Sequence, residues 1–315
     1  MEIIKGLPEL LPYRAPVVTI GNFDGVHIGH QKIFRDVVEK SVELNGTPVA
    51  MTFDPHPVRL LSPERGLKLI TSPGDKARLI SDTGIKSLIC VDFNREFAHT
   101  DAEDFIKEII VGRLKVKWIV VGHNYTFGRG KKGNAALLRR RGQKYGFGVS
   151  VVRYAKVGGD IVSSSRVRHS VVAGKVGEVA NMLGRAYHID GVVIKGAGRG
   201  SSMLNTPTAN LATENELIPK EGVYAVRVSF EKHVYDGVAN LGRNPTFKEG
   251  KLSYEVHILD FHKNLLARSI RVHFIKRIRD EKKFSCIEDL FEHIKLDIDT
   301  ARQILNKRRT PLYLV

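Results

Sequence analysis

The chain has 315 residues, of which 42% are hydrophobic and 27% are charged, and this composition excludes a disordered or fibrous protein. Its length is enough for two ordinary domains, each with a core of its own. Fifty Lys and Arg residues against 34 Asp and Glu give a formal net charge of +16, which favours anionic partners such as nucleotides, nucleic acid or phospholipid.

The first half of the chain alternates apolar strands with helical patterns. The predicted strands cover residues 16–23, 49–53, 87–93, 117–121 and 149–153, and the predicted helices cover residues 30–44, 102–111 and 135–145. Strands that alternate with helices indicate a parallel sheet with crossover helices, so this half is predicted to be a Rossmann-like α/β domain.

The pattern changes near residue 185. Two short predicted helices, 166–173 and 176–183, precede β-type segments at 188–194, 223–230, 235–241, 254–259 and 270–278, which turn signals separate. Such segments are typical of a small antiparallel barrel. Helical spacing of apolar residues from Ile287 to Leu305 predicts a C-terminal amphipathic helix. We therefore predict two domains, 1–184 and 185–315.

Several features argue against export and against membrane or nucleic-acid partners. The longest apolar runs, such as 118–121 and 149–152, are only strand-length, and the N-terminus lacks a secretory pattern. Two cysteines, Cys90 and Cys286, are too few for a disulfide framework. No aromatic residues interleave with the basic runs, so a solvated basic face is favoured over a nucleic-acid footprint. A cytoplasmic protein is predicted.

A glycine- and histidine-rich segment joins the first strand to the first helix. Residues 19–30 read TIGNFDGVHIGH. Backbone amides at a helix start attract phosphate, the glycines allow close approach, and two imidazoles three residues apart can donate to phosphate oxygens. A zinc site built from His27, His30 and His56 with Asp24 or Asp54 is the alternative, although the His-Glu-x-x-His spacing is absent.

The pattern Gly-x-Phe-Asp-Gly-x-His-x-Gly-His resembles the signature of nucleotidyltransferases. Over nearly its full length the chain resembles the prokaryotic bifunctional riboflavin kinase and FMN adenylyltransferase family. The resemblance implies that His27 and His30 hold the ATP phosphates, and that residues 162–168 form a clamp in which Ser164 and Arg166 close on the triphosphate. The further ATP-binding residues implied are Gly21, Phe23, Asp24, Gly25 and Gly29.

Two more segments, 52–57 and 122–128, follow predicted strands and match family segments that line the flavin and adenine pockets. The resemblance implies that Asp54, His56 and Asn124 bind flavin, although many relatives have Asp where Asn124 stands. Residues 128–133 also fit the Gly-x-Gly-x-x-Gly dinucleotide motif. The acidic residue expected about twenty positions later is missing, so a dinucleotide site is not predicted.

The second half carries a glycine-rich turn with Gly196, Gly198 and Gly200, followed by a predicted loop that contains Pro-Thr-Ala-Asn at 207–210. A hydroxyl and an amide oxygen two residues apart suit a hard cation such as Mg²⁺. The resemblance to riboflavin kinases implies that the glycines cover ATP, that Thr208 and Asn210 hold Mg²⁺, and that Glu255 is the catalytic base.

A solvent-facing strand glutamate is the alternative for Glu255. One departure from the family is Asn205-Thr206, which replaces Gly-Phe before Pro-Thr-Ala-Asn and would weaken the kinase. The implied function is phosphorylation of riboflavin to FMN and adenylylation of FMN to FAD, with ATP as co-substrate. The alternatives are an adenylyltransferase whose barrel only binds flavin, and a nucleic-acid- or flavin-sensing regulator. The sequence does not indicate an oligomeric state.

Overall fold

A computed structural model describes residues 1–195, 208–243, 252–282, 284 and 286–307. The chain forms two compact units, Met1–Ser163 and Ser164–Val315. The predicted boundary at 184/185 lies two helices further along the chain, because the segments at 164–172 and 176–183 group with the second unit. The extent of each functional domain stays a prediction.

The first unit is built on a six-stranded parallel sheet, as the alternating pattern predicts. Its strands are β1 (Glu2–Lys5), β2 (Val17–Ile20), β3 (Pro48–Asp54), β4 (Ser87–Asp92), β5 (Trp118–Gly122) and, after the two-residue strands β6 (Thr126–Phe127) and β7 (Gly133–Asn134), β8 (Gly148–Val152). Their order is β1-β4-β3-β2-β5-β8. The strand β1 was not predicted because it is a short, mostly exposed edge strand with no apolar run. A hairpin of β9 (Lys156–Val157) and β10 (Asp160–Ile161) follows β8.

Helices connect these strands. They are α1 (Ile28–Glu43), α2 (Pro57–Leu61), α3 (Pro73–Ser81), α4 (Arg95–Ala98), α5 (Ala102–Asp104) and α6 (Ala135–Tyr145), with short 3₁₀ turns at Pro63–Arg65 and Arg129–Lys131. The predicted helix at 102–111 continues from α5 as a π-helix over Phe105–Arg113. Helix α3 was not predicted, although Ser72 caps it and Pro73 opens it, as is typical of a helix start.

The core of this unit lies between the sheet and its helices. Strand β2 reads Val-Val-Thr-Ile and is buried along its whole length, as expected for a central parallel strand covered on both faces. One large hydrophobic cluster includes Val18, Met51 and Ile119 from the strands and Ile106 and Ile110 from the π-helix. Burial of these side chains holds the carboxyl ends of the strands in a common edge.

The second unit begins with α7 (Ser164–Val172) and α8 (Val176–Leu183) and continues as a closed antiparallel barrel. Its strands are β11 (Tyr187–Ile194), β12 (Thr208–Ala212), β13 (Gly222–Phe230), β14 (His233–Arg243), β15 (Leu252–Ile258) and β16 (Ser269–Arg279), in the order β11-β12-β15-β14-β13-β16. The barrel prediction is confirmed, but residues 208–210, which were predicted to lie in a loop, belong to the strand β12. Their pairing with β15 and β11 outweighs the local Pro-Thr signal.

The C-terminal helix α9 (Ile287–Lys307) covers part of the barrel wall, as its amphipathic pattern predicts. Ala301 and Leu305 are buried in a cluster with residues of the strands, namely Val223, Ala225, Val238 and Ile275. Arg279 at the end of β16 forms a two-pronged ion pair with Asp297 of α9, with nitrogen–oxygen distances of 2.7 and 2.9 Å. Among the described helices, none has both the length and the hydrophobicity needed to cross a bilayer.

Candidate active sites

The strand order puts the histidine-containing turn at the position where an open parallel sheet binds ligands. From β2 the chain moves to β3 on one side, and β5 later pairs with β2 on the other side. The order therefore reverses between β2 and β5, and a crevice forms outside the carboxyl ends of strands at such a switch point. Gly21 follows β2 directly, and the turn leads into α1.

Asp24 holds the shape of this turn. Its carboxylate is buried and accepts hydrogen bonds from the backbone N–H groups of Ile70 and Thr71, at 3.0 and 3.2 Å, and from the Thr71 hydroxyl. The Thr71 Oγ1 atom in turn accepts a hydrogen bond from the N–H of Gly25 at 3.2 Å. Gly25 has a φ of +81°, and a Cβ there would lie 3.0 Å from Ile70 Cδ1. Asp24 thus anchors the turn, while its predicted contact with ATP stays a prediction.

His27 and His30 stand together at the start of α1. Their rings are stacked, with centroids 3.6 Å apart and planes 17° from parallel. His27 is the N-cap residue, and its Nδ1 atom accepts a hydrogen bond from the backbone N–H of His30. A Cβ on Gly29 would lie 3.0 Å from Cε1 of His27, so a glycine is needed for the ring to lie over the first turn. The structure therefore brings together the two histidines that the sequence singles out.

The surroundings of His30 keep its ring neutral. Burial, and then the nearby His27 and Lys76, hold the pKa of His30 well below its usual value. The Nδ1 atom of His30 is buried and has no hydrogen-bond partner among the described residues. The ring of Phe23, itself buried, packs edge-on against it with centroids 5.3 Å apart. Phe23 therefore supports His30, and its predicted contact with ATP stays a prediction.

The predicted flavin-binding residues lie at the same edge of the sheet. Asp54 is the last residue of β3, and Asn124 comes two residues after β5; both are exposed. His56 caps α2 by accepting a hydrogen bond from the N–H of Val58 at 3.2 Å. In the described part of the chain, no cluster of three His, Cys, Asp or Glu ligand atoms includes His27, His30 or His56.

Sequence reasoning missed Lys76, which α3 brings to this edge. Its Nζ atom donates to the Thr52 hydroxyl at 3.2 Å and to the carbonyl oxygen of Asn22 at 3.5 Å. Burial lowers the pKa of Lys76, and Asp24, Cys90 and Asp54 oppose that shift. No local motif marks this lysine, and the proline-capped start of α3 is the signal that would have placed it on a helix.

The other predicted ATP clamp begins the second unit. Ser164 is the first residue of α7, and Arg166 lies in its first turn, partly buried. The predicted role of both residues at the triphosphate stays a prediction.

In the barrel, strand pairing puts three polar residues in one row. Glu255 of β15 is directly opposite Asn210 of β12 on one side and Asn240 of β14 on the other. Directly opposite residues of antiparallel strands project to the same face with Cβ atoms about 5 Å apart. Val256 and Ala239, which alternate with this row, are fully buried, so the row lies on the outer face of the barrel wall.

All three side chains of this row are partly buried. Glu255 accepts a long hydrogen bond, 3.4 Å, from the Ser253 hydroxyl. The Oδ1 atom of Asn240 is buried and has no hydrogen-bond partner among the described residues. Sequence reasoning did not single out Asn240, because only the pairing of β14 with β15 puts it beside the glutamate.

Thr208 extends the same face. It starts β12, is exposed, and lies two residues before Asn210 on the same side of the strand. Hydroxyl, amide and carboxylate oxygens thus lie on one face of the barrel. The glycine-rich turn with Gly196, Gly198 and Gly200, and the Asn205-Thr206 departure, lie outside the described residues.

Comparison with known proteins assigns a family model to each part of the chain. Residues 12–166 match the model described as FAD synthetase. Residues 183–305 match the model described as riboflavin kinase. The two matched segments together span most of the chain, and each contains one of the candidate sites.

Curated relatives match over almost the full length. The chain is 34% identical over 306 residues to the bifunctional riboflavin kinase/FMN adenylyltransferase of Escherichia coli, covering 96% of this chain and 97% of that protein. It is 32% identical over 308 residues to the protein of the same name from Haemophilus influenzae, covering 97% and 100%. A crystal structure described as a macrolide-efflux protein from Streptococcus pneumoniae is 30% identical, with a TM-score of 0.87, and the match covers 96% of this chain and 99% of that one.

Proposed function

This chain belongs to the bifunctional riboflavin kinase/FMN adenylyltransferase family, and we propose that its two activities use the two candidate sites separately, FAD formation at the paired histidines and FMN formation at Glu255. The chain is an enzyme of FAD biosynthesis that uses ATP to phosphorylate riboflavin to FMN and to adenylylate FMN to FAD. One observation supports assigning one activity to each site. Each segment matched by a family model contains one group of polar side chains suited to its reaction.

In the first reaction site, an oxygen of the FMN phosphate attacks the α-phosphorus of ATP. A new phosphoanhydride bond forms, the bond to the β-phosphate breaks, and pyrophosphate leaves. Negative charge therefore grows on the leaving phosphates, next to the start of α1. His27 and His30 donate hydrogen bonds there, and the positive end of the helix dipole adds to the attraction. Ser164 and Arg166 complete the grip on the triphosphate.

Asp54, His56 and Asn124 orient the flavin in the same site. They lie at the carboxyl ends of β3 and β5, on either side of β2, so they flank the turn that holds the triphosphate. Adenylyl transfer of this kind is chiefly a matter of holding two anionic groups in line, and residues on rigid strand ends suit that task.

In the second reaction site, Glu255 accepts the proton of the ribityl 5′-hydroxyl of riboflavin. The oxygen so freed attacks the γ-phosphorus of ATP, FMN forms, and ADP leaves. Asn210 and Asn240 flank the glutamate on neighbouring strands, and their amides help to orient it and its substrate.

The oxygen donors beside Glu255 suit magnesium, which prefers hydroxyl, carbonyl and carboxylate oxygens. Thr208 and Asn210 would hold the ion, and when bound it would neutralise charge on the ATP phosphates. The protein groups themselves still have to bind and orient riboflavin and accept its proton.

Two substitutions test this division of labour. Glu255→Gln keeps the size of the side chain but removes its basicity, so we expect FMN formation from riboflavin to be abolished while FAD formation from supplied FMN continues. His30→Ala is expected to do the reverse. Both products are measured by chromatography of flavins after incubation with ATP and magnesium.

Each variant serves as a control for the other, because the activity that a variant retains shows that its chain is folded. If either substitution reduced both activities to the same extent in a folded protein, the assignment of separate sites would be wrong. If wild-type protein converted FMN to FAD but made no FMN from riboflavin, the barrel would only bind flavin.

A further inference from the structure

Lys76 is a partly buried cation at the edge of the sheet where the triphosphate is expected. Its ammonium group reaches from α3 to the carboxyl ends of β2 and β3, where it bonds to the Thr52 hydroxyl and the Asn22 carbonyl. The Thr52 hydroxyl itself donates to the Asn22 carbonyl at 3.2 Å. Lys76 is therefore held beside the turn that carries His27 and His30.

The charge of Lys76 is not matched by a direct ion pair. In the part of the chain that the structure describes, no carboxylate oxygen lies within 4.0 Å of its Nζ atom. Asp24, although close enough to influence it, turns its oxygens toward Ile70 and Thr71. A buried charge without a paired counterion is costly, and a bound anion removes that cost.

His30, beside Lys76, does not supply a full positive charge. Burial and the neighbouring charges lower the pKa of His30 well below its usual value, so its imidazole is neutral near pH 7. A neutral imidazole donates a hydrogen bond but does not balance the charge of a polyphosphate. An ammonium group has three donors, and only two of those on Lys76 are engaged in the structure.

We propose that Lys76 is a phosphate-binding residue of the adenylyltransferase site, which binds an oxygen of the ATP polyphosphate or of the FMN phosphate through its ammonium group. The inference rests on the proposed function of the paired histidines. The alternative is a purely structural role, in which Lys76 only links Thr52 and Asn22 through hydrogen bonds and binds no ligand.

The central test replaces Lys76 with methionine, which keeps the length of the side chain and removes its charge. We expect kcat/KM for FAD formation from FMN to fall about 100-fold, and the inhibition constant of pyrophosphate to rise about tenfold, because a charge-assisted hydrogen bond to phosphate is lost. FMN formation from riboflavin should stay within about twofold of wild type. A rise in KM for ATP or for FMN identifies which phosphate Lys76 contacts.

Two matched variants show whether an effect of Lys76→Met comes from the loss of charge at this position, from the loss of any lysine of the unit, or from a disturbed local structure. Lys86→Met removes an exposed lysine just before β4, at the opposite edge of the same sheet, and should leave all constants unchanged. Thr52→Val removes an acceptor of the Lys76 hydrogen bond but keeps the ammonium. It should lower the melting temperature while leaving the inhibition constant of pyrophosphate within about threefold of wild type.

The proposal is overturned if Lys76→Met keeps the wild-type response to pyrophosphate, or if Thr52→Val reproduces every effect of Lys76→Met. Calorimetric titration of the full chain with pyrophosphate separates this outcome from failure of the proposed function. If wild-type protein made no FAD, the proposed function would fall, whereas a loss of pyrophosphate binding in Lys76→Met alone would still support the phosphate contact.

Discussion

The Nδ1 atom of His27 lies 3.3 Å from the backbone nitrogen of His30 and accepts its hydrogen bond. Because Nδ1 is an acceptor here, a neutral His27 ring carries its proton on Nε2. One side chain thus caps the helix with one nitrogen and offers a donor with the other. The two tasks are separable by mutation.

His27→Asn keeps a side-chain acceptor for the cap and removes the ring donor. We expect FAD formation from FMN to fall about 100-fold while the melting temperature stays close to that of wild type. His27→Ala loses the cap as well, so it should be equally inactive and less stable by about 1 kcal/mol. Thermal unfolding and flavin chromatography measure both effects. An active His27→Asn enzyme would show that His27 serves only the helix.

His30 makes the stability of the protein depend on pH. In the unfolded chain its ring takes up a proton near the ordinary value of 6.5, whereas the folded state keeps it neutral to a lower pH because its pKa is lowered. Below pH 6.5 the unfolded state therefore binds more protons, and stability is lost as the pH falls. At higher pH this contribution vanishes, since the ring is neutral in both states.

The test compares the free energies of unfolding of wild type and His30→Ala by denaturant titration between about pH 8 and about pH 5.5. Wild type should lose stability relative to the variant as the pH falls. Parallel curves for wild type and His30→Ala would contradict the prediction.

Replacing Asn240 with an apolar residue is expected to lower kinase activity without lowering stability. Its buried Oδ1 atom has no partner among the described residues, so Asn240→Leu, of similar size, should not destabilise the barrel. FMN formation is nevertheless expected to fall about tenfold, because the amide beside Glu255 is lost. Ser253→Ala removes only the 3.4 Å contact to Glu255 and should stay within about twofold of wild type. An Asn240→Leu variant with full kinase activity would leave Asn240 without a role in catalysis.

Two ion pairs of α9 differ in burial and should differ in strength. The side chain of Asp297, paired with Arg279, is 9% exposed, whereas Asp260, paired with Arg302 of α9, is 73% exposed. Asp297→Asn leaves a partly buried guanidinium without its counterion and should cost about 2 kcal/mol. Asp260→Asn should cost much less, because water screens an exposed ion pair. Denaturant unfolding measures the free energy of unfolding of both variants, and equal losses of stability would contradict this ranking.

Local patterns in the sequence were sufficient to predict most of the fold. Central strands such as β2 and β3 are runs of apolar residues, and α9 shows helical spacing of its apolar side chains, so each element was predicted from neighbouring residues alone. The adjacency of His27 and His30 is equally local, because residues three apart at a helix start lie on the same side. Gly25 and Gly29 belong to the same short segment.

Relationships between distant segments were decided only by the tertiary structure. Lys76 lies 54 residues from Asn22, and only the packing of α3 against the sheet edge joins them. Asn240 and Asn210 flank Glu255 because β12, β15 and β14 pair in that register, and the same pairing places residues 208–210 in a strand although the sequence predicted a loop. Asp24 anchors its turn through Ile70 and Thr71. Side-chain periodicity shows which face of an element is buried, but it does not specify which distant element covers that face.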